Sequence, residues 1–294
     1  DIRSDLNINL GNGVLDNIKR VARGQADLGI VTPTANLILA KRGEGPFTEA
    51  YPELVSLGRL QHDDRFTCAA AAHVNITSLA QIAEQKLPLR IAADMEDDGA
   101  SVAFISTEIL NHYGLNDQTL GSWGGKLIHL DRGPAQGVEK VLSGEADIVI
   151  HEAVMLKPWT ELIHERGGKF IGWDEDLLQK LDTKYGYKRA KLPQSFGYKG
   201  PDIDCIDWAD WHIIARRDLD QEVAYRIAQV MAEKKRTIEL QYMWMPLKHS
   251  PMIYPIDVDA MFNTDGVEYH RGAKAFYEDY KKGVRRPQAA TEAV

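Results

Sequence analysis

A short pattern of a helix, a glycine and a strand occurs twice in this sequence. Its two copies are RVARGQADLGIV at residues 20–31 and KVLSGEADIVI at residues 140–150, which align Gly24 with Gly144 and Asp27 with Asp147. In each copy, apolar residues at helical spacing precede the glycine, a residue that commonly ends a helix, and a β-rich run follows at once. This unit is the repeating element of open α/β sheets, and copies so far apart predict two α/β units rather than a solenoid. If G-x-A-D is only common turn chemistry, it still favours the α/β class.

The rest of the chain carries further strand and helix patterns. Candidate strands are Leu54–Leu60, Phe66–Ala72, Leu89–Ala93, Leu127–Leu130, Lys169–Gly172 and Trp211–Ala215. Helical stretches lie at 34–42, 77–86, 100–113, 153–166 and 174–185. A long amphipathic helix is predicted from Leu219 to about Trp244, with Asp218 or Asp220 as its cap. Residues 192–207, rich in proline, glycine and aspartate, are typical of a crossover between two units.

Composition and charge narrow the possible functions. Hydrophobic residues make up 44% and charged residues 27% of the 294 residues, the balance of a globular protein with a real core. The net charge of −8 argues against a nucleic-acid partner, because phosphates need a basic face. Cys68 and Cys205 are too few and too far apart for a disulfide framework. No apolar run has the length of a membrane span, and the segment after Asp1 lacks the apolar core of a signal peptide, so a removed signal and a cytoplasmic origin both remain open.

The repeat also indicates where a ligand binds, because open parallel sheets bind ligands beyond the carboxyl ends of their strands. At that position the first copy has Thr32 and Thr34, and the second has His151 and Glu152. Two glycine-containing helix starts offer backbone N–H groups that attract anions. They are formed by Gly11, Asn12 and Gly13, and by Asp97, Asp98, Gly99, Ala100 and Ser101. We expect all of these residues to line a ligand site.

Most of these candidates also have a purely structural interpretation. Gly11 to Gly13 fit a simple turn, Asp97 and Asp98 fit helix caps, and His151 fits a paired residue at a strand end. For Thr34, capping of the helix at 34–42 is favoured. Both interpretations stay open at this point for the other residues.

Other clusters in the sequence are weaker. The segment from His62 to Arg65 fits a solvated turn better than a metal site. Trp208 and Trp211 have opposite parity, so on a strand one faces the core and the other is available to line a cleft. The pair His151-Glu152 lacks the second histidine of a zinc motif, and the chain has no complete dinucleotide fingerprint, nucleophile elbow or phosphate loop. We therefore expect no cofactor and no resident metal.

Four segments in order resemble the TAXI family of solute receptors for tripartite, TRAP-type transporters. The segments are GNGVLDNIKRVARGQADLGIV at 11–31, RGEGPF at 42–47, DDGASVAFISTEILNHYGL at 97–115 and YHRGAKAFYED at 269–279. The last is similar to the family's H-P-G-A segment, with Arg271 in place of the proline. Each motif alone is weak, but their order and spacing over nearly the whole chain are fairly specific.

The resemblance implies an α/β, two-lobed fold of the type II periplasmic-binding-protein class, with a central cleft and crossing hinge strands. We expect lobe 1 to comprise residues 1–88 and 205–294 and lobe 2 residues 89–204. The implied function is a periplasmic receptor, not an enzyme, that captures a small organic ligand and delivers it to TRAP-type permease subunits. The usual cargo is a small organic acid or amino acid. Carried over to this chain, the family's site residues are Gly11–Gly13, Thr32, Thr34, the 98–101 helix start, His151 and Glu152; Trp211 is added from its strand position.

Two departures from the family pattern bear on function. First, family members have another strand and another glycine-rich helix start ahead of this pattern. The signal peptide of such a receptor would have been removed. In addition, Asp97, Asp98 and Glu152 put carboxylates where a receptor for a plain dicarboxylate avoids them, unless Arg65, Arg90 or Arg132 offsets the charge. The same acids with His151 also fit an alternative function, a metal-assisted enzyme on this fold such as an aromatic-acid decarboxylase.

Overall fold

The structure is a computed structural model that describes residues 7–95, 99–130, 133–152, 154–193, 196, 198–242, 252–253, 255–263 and 266–284. Its strands are β1 Leu28–Val31, β2 Leu54–Leu60, β3 Arg65–Ala70, β4 Arg90–Asp94, β5 Lys126–Leu130, β6 Ile148–His151, β7 Lys169–Ile171, β8 Arg189–Lys191, β9 Asp204–Asp207 and β10 Trp211–Arg216. Its helices are α1 Val14–Ala22, α2 Thr34–Arg42, α3 Ala80–Gln85, α4 Ser101–His112, α5 Asp117–Ser122, α6 Pro134–Leu142, α7 Lys157–Thr160, α8 Glu175–Tyr185, α9 Gln221–Glu233, α10 Lys235–Tyr242, α11 Val258–Met261 and α12 Arg271–Lys281.

Both copies of the sequence repeat form the predicted helix, turn and strand. The first is α1 followed by β1, and the second is α6 followed by β6. Gly24 and Gly144 sit at the turns with φ values of 70° and 79°, in the left-handed region that favours glycine. The two copies therefore share the predicted helix, turn and strand, but β1 is partly exposed and pairs antiparallel with β10, whereas β6 is buried and runs parallel to β4.

The strands form two sheets. The first has the order β1-β10-β2, with β10 antiparallel to both neighbours. The second has the order β5-β4-β6-β3-β9-β8, with β7 also paired to β3; β4 runs parallel to β5 and β6. All four residues of β6 are buried, as expected for a strand covered on both faces. The mixed α/β class predicted from the sequence is confirmed.

The chain crosses between the two sheets twice. It passes from β2 to β3 through residues 61–64 and from β9 to β10 through residues 208–210. These two crossings are the candidate hinge. Strands β3 and β9 hydrogen-bond within the second sheet, so sheet membership favours lobe limits at the crossings. The limits at 88/89 and 204/205 stay a prediction.

Two helices differ from the sequence prediction. The continuous helix from Leu219 is wrong, because Lys234 leaves helical geometry and separates α9 from α10; Trp244 lies outside the described residues. Asp220 is the cap of α9, and its side chain accepts the N–H groups of Glu222 and Val223. The stretch predicted at 153–166 begins only at Lys157, where Pro158 fits a first helical turn, and continues as a π-helix over Glu161–Glu165.

Within the residues that the structure describes, no helix is long and apolar enough to span a membrane. The core consists of two clusters of buried side chains. The larger one joins α1, α2 and the first sheet to one face of the second sheet, and the smaller one fills the opposite face under α6 and α7.

Candidate functional site

Trp208, in the second crossing, links the ends of the two repeat strands. Its carbonyl oxygen accepts a hydrogen bond from Thr32 Oγ1, beyond β1, at 3.1 Å. Its indole N–H donates to the carboxyl group of Glu152, beyond β6. Trp208 itself is 1% exposed and packs its ring on Phe66 and Tyr187. The two strand ends singled out from the sequence therefore meet at one place between the sheets.

Three carboxyl groups gather at this meeting point. Asp64 lies in the first crossing, Asp94 at the end of β4 and Glu152 just beyond β6. Burial and the neighbouring Asp64 raise the pKa of Glu152 well above its usual range, and the two carboxyl groups share a hydrogen bond, so one of them holds a proton. Asp64 Oδ1 also accepts the backbone N–H groups of Arg65 at 2.7 Å and Val154 at 3.2 Å. We refer to Asp64, Asp94 and Glu152 as the acid cluster.

His151 is 1% exposed and faces the acid cluster. Its Nδ1 accepts the backbone N–H of Glu152 at 2.8 Å, which assigns the proton of the neutral ring to Nε2. Nε2 lies 3.3 Å from Asp94 Oδ2, but the pair is not aligned as a hydrogen bond. Among the residues that the structure describes, neither Nε2 nor Asp94 Oδ1 has a hydrogen-bond partner. The proposed strand-end pairing of His151 thus leaves half of its ring unsatisfied.

His62 is a second buried histidine at this place. It is 2% exposed, and burial, with the charge of Arg65, lowers its pKa to about 3. Its Nε2 lies 3.5 Å from Thr32 Oγ1, whose own proton goes to Trp208, so Nε2 is the donor and Nδ1 is an acceptor. Nδ1 is buried and has no hydrogen-bond partner within the described part of the chain. The solvated turn predicted for residues 62–65 is wrong, because the crossing is folded inward between the two sheets.

Trp211, at the start of β10, is partly exposed, and its ring lies 4.4 Å from that of His62. Of the two tryptophans, Trp208 is the buried one and Trp211 is the partly exposed one. Trp211 therefore lies beside the buried histidine, in a position from which an aromatic side chain can cover a bound molecule.

Thr34 is the first residue of α2 rather than its cap, since the N-cap position is taken by Pro33 without a side-chain hydrogen bond. Its hydroxyl lies 3.1 Å from His212 Nε2, and His212 Nδ1 lies 3.0 Å from Ser56 Oγ. Burial, with the charge of Arg59, lowers the pKa of His212 to about 3, so the ring is neutral. The capping interpretation of Thr34 is wrong because its hydroxyl is engaged by the first sheet.

The two glycine-rich helix starts touch each other. The carbonyl oxygen of Gly99 accepts the N–H of Leu15 at 2.8 Å, and the N–H of Asn12 donates to the Asp16 side chain at 3.1 Å. These donors at the Gly11–Gly13 start are thus already paired. Ala100 is the N-cap of α4 without a side-chain hydrogen bond, and Ser101 is buried at its first position. Asp97 and Asp98 lie outside the described residues.

A pocket of about 330 Å³ opens beside this site. Its wall includes Thr34 of α2, Arg59 of β2, Tyr187 and Lys188 from the segment before β8, and Asp210 of the second crossing. Arg59 pairs with Asp210 at 2.5 Å, and burial outweighs this partner to raise the Asp210 pKa to about 6. The pocket is therefore a mixed polar cavity rather than an apolar one.

Two of the arginines expected to offset the acids are engaged elsewhere. Arg65 pairs with Asp63 at 2.5 Å and with Asp207 at 3.6 Å. Arg90 pairs with Asp147 at 2.7 Å. Arg132 lies outside the described residues. Within the part of the chain that the structure describes, no group of three or more His, Cys, Asp or Glu side chains is arranged to hold a metal ion.

Sequence reasoning missed Asp94, Asp64, His62 and Arg59 as site residues. Asp94 directly follows a predicted strand, so the strand-end rule applied to β4 would have found it. No local signal identifies the others, because they reach the site only through the path of the crossing.

Several solved structures are similar to this chain. The periplasmic binding protein BugD is 15% identical, covers 94% of this chain and 85% of its own, and has a TM-score of 0.49. MatC from Rhodopseudomonas palustris with bound malate is 10% identical, with coverages of 90% and 80% and a TM-score of 0.47. The periplasmic sulfonate-binding protein SsuA from Methylobacillus flagellatus KT is 13% identical, with coverages of 94% and 82% and a TM-score of 0.43. No curated protein matches the sequence. A family model matches residues 5–280, and the chain belongs to the NMT1-like family.

Proposed function

We propose that this protein is a periplasmic receptor, not an enzyme, that captures a small organic solute between two lobes and delivers it to TRAP-type permease subunits. The observation that carries the proposal is the set of buried atoms without partners at the meeting point of the sheets: His62 Nδ1, Asp94 Oδ1 and His151 Nε2. Folded proteins rarely leave such atoms unpaired, because each one costs about 1–3 kcal/mol. A bound solute would supply the missing partners.

The architecture supports a receptor that closes around its solute. The two crossings at 61–64 and 208–210 connect the sheets and also carry His62, Asp64 and Trp208. A solute that touches these residues and the strand ends therefore contacts the hinge and both sheet units at once. Its binding energy would favour the closed arrangement, as in hinge closure. The Thr32, Thr34, His151, Glu152 and Trp211 positions are the ones we propose for direct contact.

A thermal-shift screen of organic acids, amino acids, aromatic acids and amines tests the receptor function. We expect at least one compound to raise the melting temperature of the wild type, with a much smaller effect on Trp211→Ala. Glu165→Gln, an exchange at an exposed surface position, is the matched control and should respond as the wild type does. If no compound stabilises the protein while one is chemically converted, the receptor function is wrong and an enzyme on this fold replaces it.

The delivery step needs a separate experiment in cells. Deleting the gene in its host should abolish high-affinity uptake of the solute that the screen identifies, and deleting the TRAP-type permease subunits should do the same. Uptake that is lost only with permease subunits of another transporter class would contradict the TRAP assignment and leave the receptor function in place.

A further inference from the structure

We infer that the solute carries a positively charged N–H donor group, an ammonium, amidinium or guanidinium, and that this group lies against the acid cluster formed by Asp64, Asp94 and Glu152. This inference rests on the proposed receptor function and adds the chemical class of the ligand. It narrows the cargo that the sequence resemblance implies, because an amino acid carries such a group and a plain organic acid does not.

The unpaired atoms at the site are mainly acceptors. Asp94 Oδ1 is a carboxylate oxygen without a partner, and the tautomer of His62 leaves its Nδ1 as an acceptor without a partner. His151 is 1% exposed, and its Nε2 lies 3.3 Å from Asp94 Oδ2 without the alignment of a hydrogen bond, so it is the one unpaired donor among the described residues of the site. A ligand that satisfies these acceptors must bring N–H or O–H donors.

The charge balance excludes a simple anion and favours a cation. Both histidines are neutral: His151 because its Nδ1 accepts a backbone N–H, and His62 because burial disfavours its charged form. No Lys or Arg side chain among the described residues pairs with Asp94 or Glu152 through a salt bridge, and the nearby Arg65 is held by Asp63 and Asp207. A ligand carboxylate placed here would add another negative charge to a buried acidic site, whereas an ammonium group would neutralise one.

Binding at the carboxyl groups of Asp64 and Glu152 should also change the number of protons that the protein holds. The hydrogen bond between Asp64 and Glu152 needs a proton on one of the two carboxyl groups, in line with the raised pKa of Glu152. A cation placed between them stabilises both carboxylates, so this proton passes to the solvent as the ligand's N–H groups take over the hydrogen bonds. Binding should therefore release up to about one proton at neutral pH.

Calorimetry with probes of similar shape and opposite charge tests the inference. The probes are 1,4-diaminobutane, agmatine and benzylamine on one side, and succinate, butanoate and benzoate on the other. We expect a cationic probe to bind, to raise the melting temperature and to release protons, as shown by different apparent enthalpies in phosphate and Tris buffers. We expect Glu152→Gln and Asp94→Asn to weaken that binding by about tenfold or more, and Glu165→Gln to leave it unchanged.

The possible outcomes separate this inference from the receptor function. Binding of the carboxylate probes, or of some other solute in the wider screen, without binding of any cation overturns the ligand class and retains the receptor. A cation that binds equally well to Glu152→Gln, or without proton release, contradicts its placement at the acid cluster. No binding by any compound in either experiment overturns the receptor function itself.

Discussion

Arg90 and Asp147 form a two-pronged ion pair that joins β4 to β6, with Nε–Oδ2 at 3.0 Å and Nη2–Oδ1 at 2.7 Å. The backbone N–H of Arg90 donates to the same carboxylate at 2.8 Å. Burial by itself raises the pKa of Asp147, but the hydrogen bonds from Arg90 outweigh it and hold the pKa below its usual value. Asp27, the equivalent residue in the first repeat, is exposed and makes no such pair in the structure.

Asp147→Asn should lower the free energy of unfolding at pH 7 by about 2 kcal/mol, measured by urea denaturation. The loss is less than the roughly 3–5 kcal/mol of a fully buried broken pair, because Arg90 keeps contact with solvent. Asp27→Asn is the matched control and should change stability by less than about 0.5 kcal/mol. The stabilisation that Asp147 contributes is complete above the unfolded pKa near 4 and falls as the pH drops below it. The free energies of unfolding of the wild type and of Asp147→Asn should therefore converge in acid. Equal losses for both variants would contradict this role.

Gly13→Ala should destabilise the contact between the two helix starts. Gly13 has a φ of 137°, and a Cβ atom there would lie 2.4 Å from the backbone oxygen of Gly99, which cannot rotate away. We expect a loss of about 2 kcal/mol in unfolding free energy. Gly121→Ala in α5, where a Cβ meets nothing within 4 Å, should be neutral or stabilising by up to about 1 kcal/mol. An unchanged stability for Gly13→Ala would show that the helix starts do not touch in solution.

Glu152→Gln should stabilise the unliganded protein at alkaline pH. Burial and Asp64 raise the pKa of Glu152, so the folded protein holds a proton that the unfolded chain releases above its own pKa near 4.5. The stability of the wild type therefore declines as the pH rises from that value through the raised pKa, while the amide has no proton to lose. We expect a gain of at least about 1 kcal/mol at pH 8 that shrinks toward pH 4.5, with Glu165→Gln unchanged at both pH values. A gain in stability that did not change with pH would show that it does not arise from the titration of Glu152.

His212→Phe tests the neutral histidine between Thr34 and Ser56. Removing the ring nitrogens should cost about 2 kcal/mol at pH 7, because the Thr34 hydroxyl loses its partner. The folded pKa of about 3 lies below the unfolded value of 6.5, so the wild type loses stability as the pH falls through that interval, and the phenylalanine variant does not. The penalty should shrink by about 2 kcal/mol between pH 7 and pH 4.5. A constant penalty over this range would mean that the pKa of His212 is the same in the folded and the unfolded protein.

Much of the secondary structure follows from local patterns. The limits of β2 and α2 are those predicted, and the repeat glycines end their helices as the turn chemistry requires. The break at Lys234 was not predictable, because the apolar spacing of the segment continues through it. Periodicity shows which face of a helix is apolar, but not where tertiary packing makes the chain turn.

The sequence by itself determined the repeat, the α/β class and the strand ends Thr32 and His151, because helix and strand periods and turn glycines are encoded within a few neighbouring residues. Only the tertiary structure decided which side chains share the site. Thr32 and Trp208 are 176 residues apart and meet through one hydrogen bond, and the crossing turns His62 and Asp64 inward rather than to solvent. Such meetings depend on how the two sheets approach each other. The packing of the two sheets depends on many long-range contacts at once, so no single segment of the sequence predicts it.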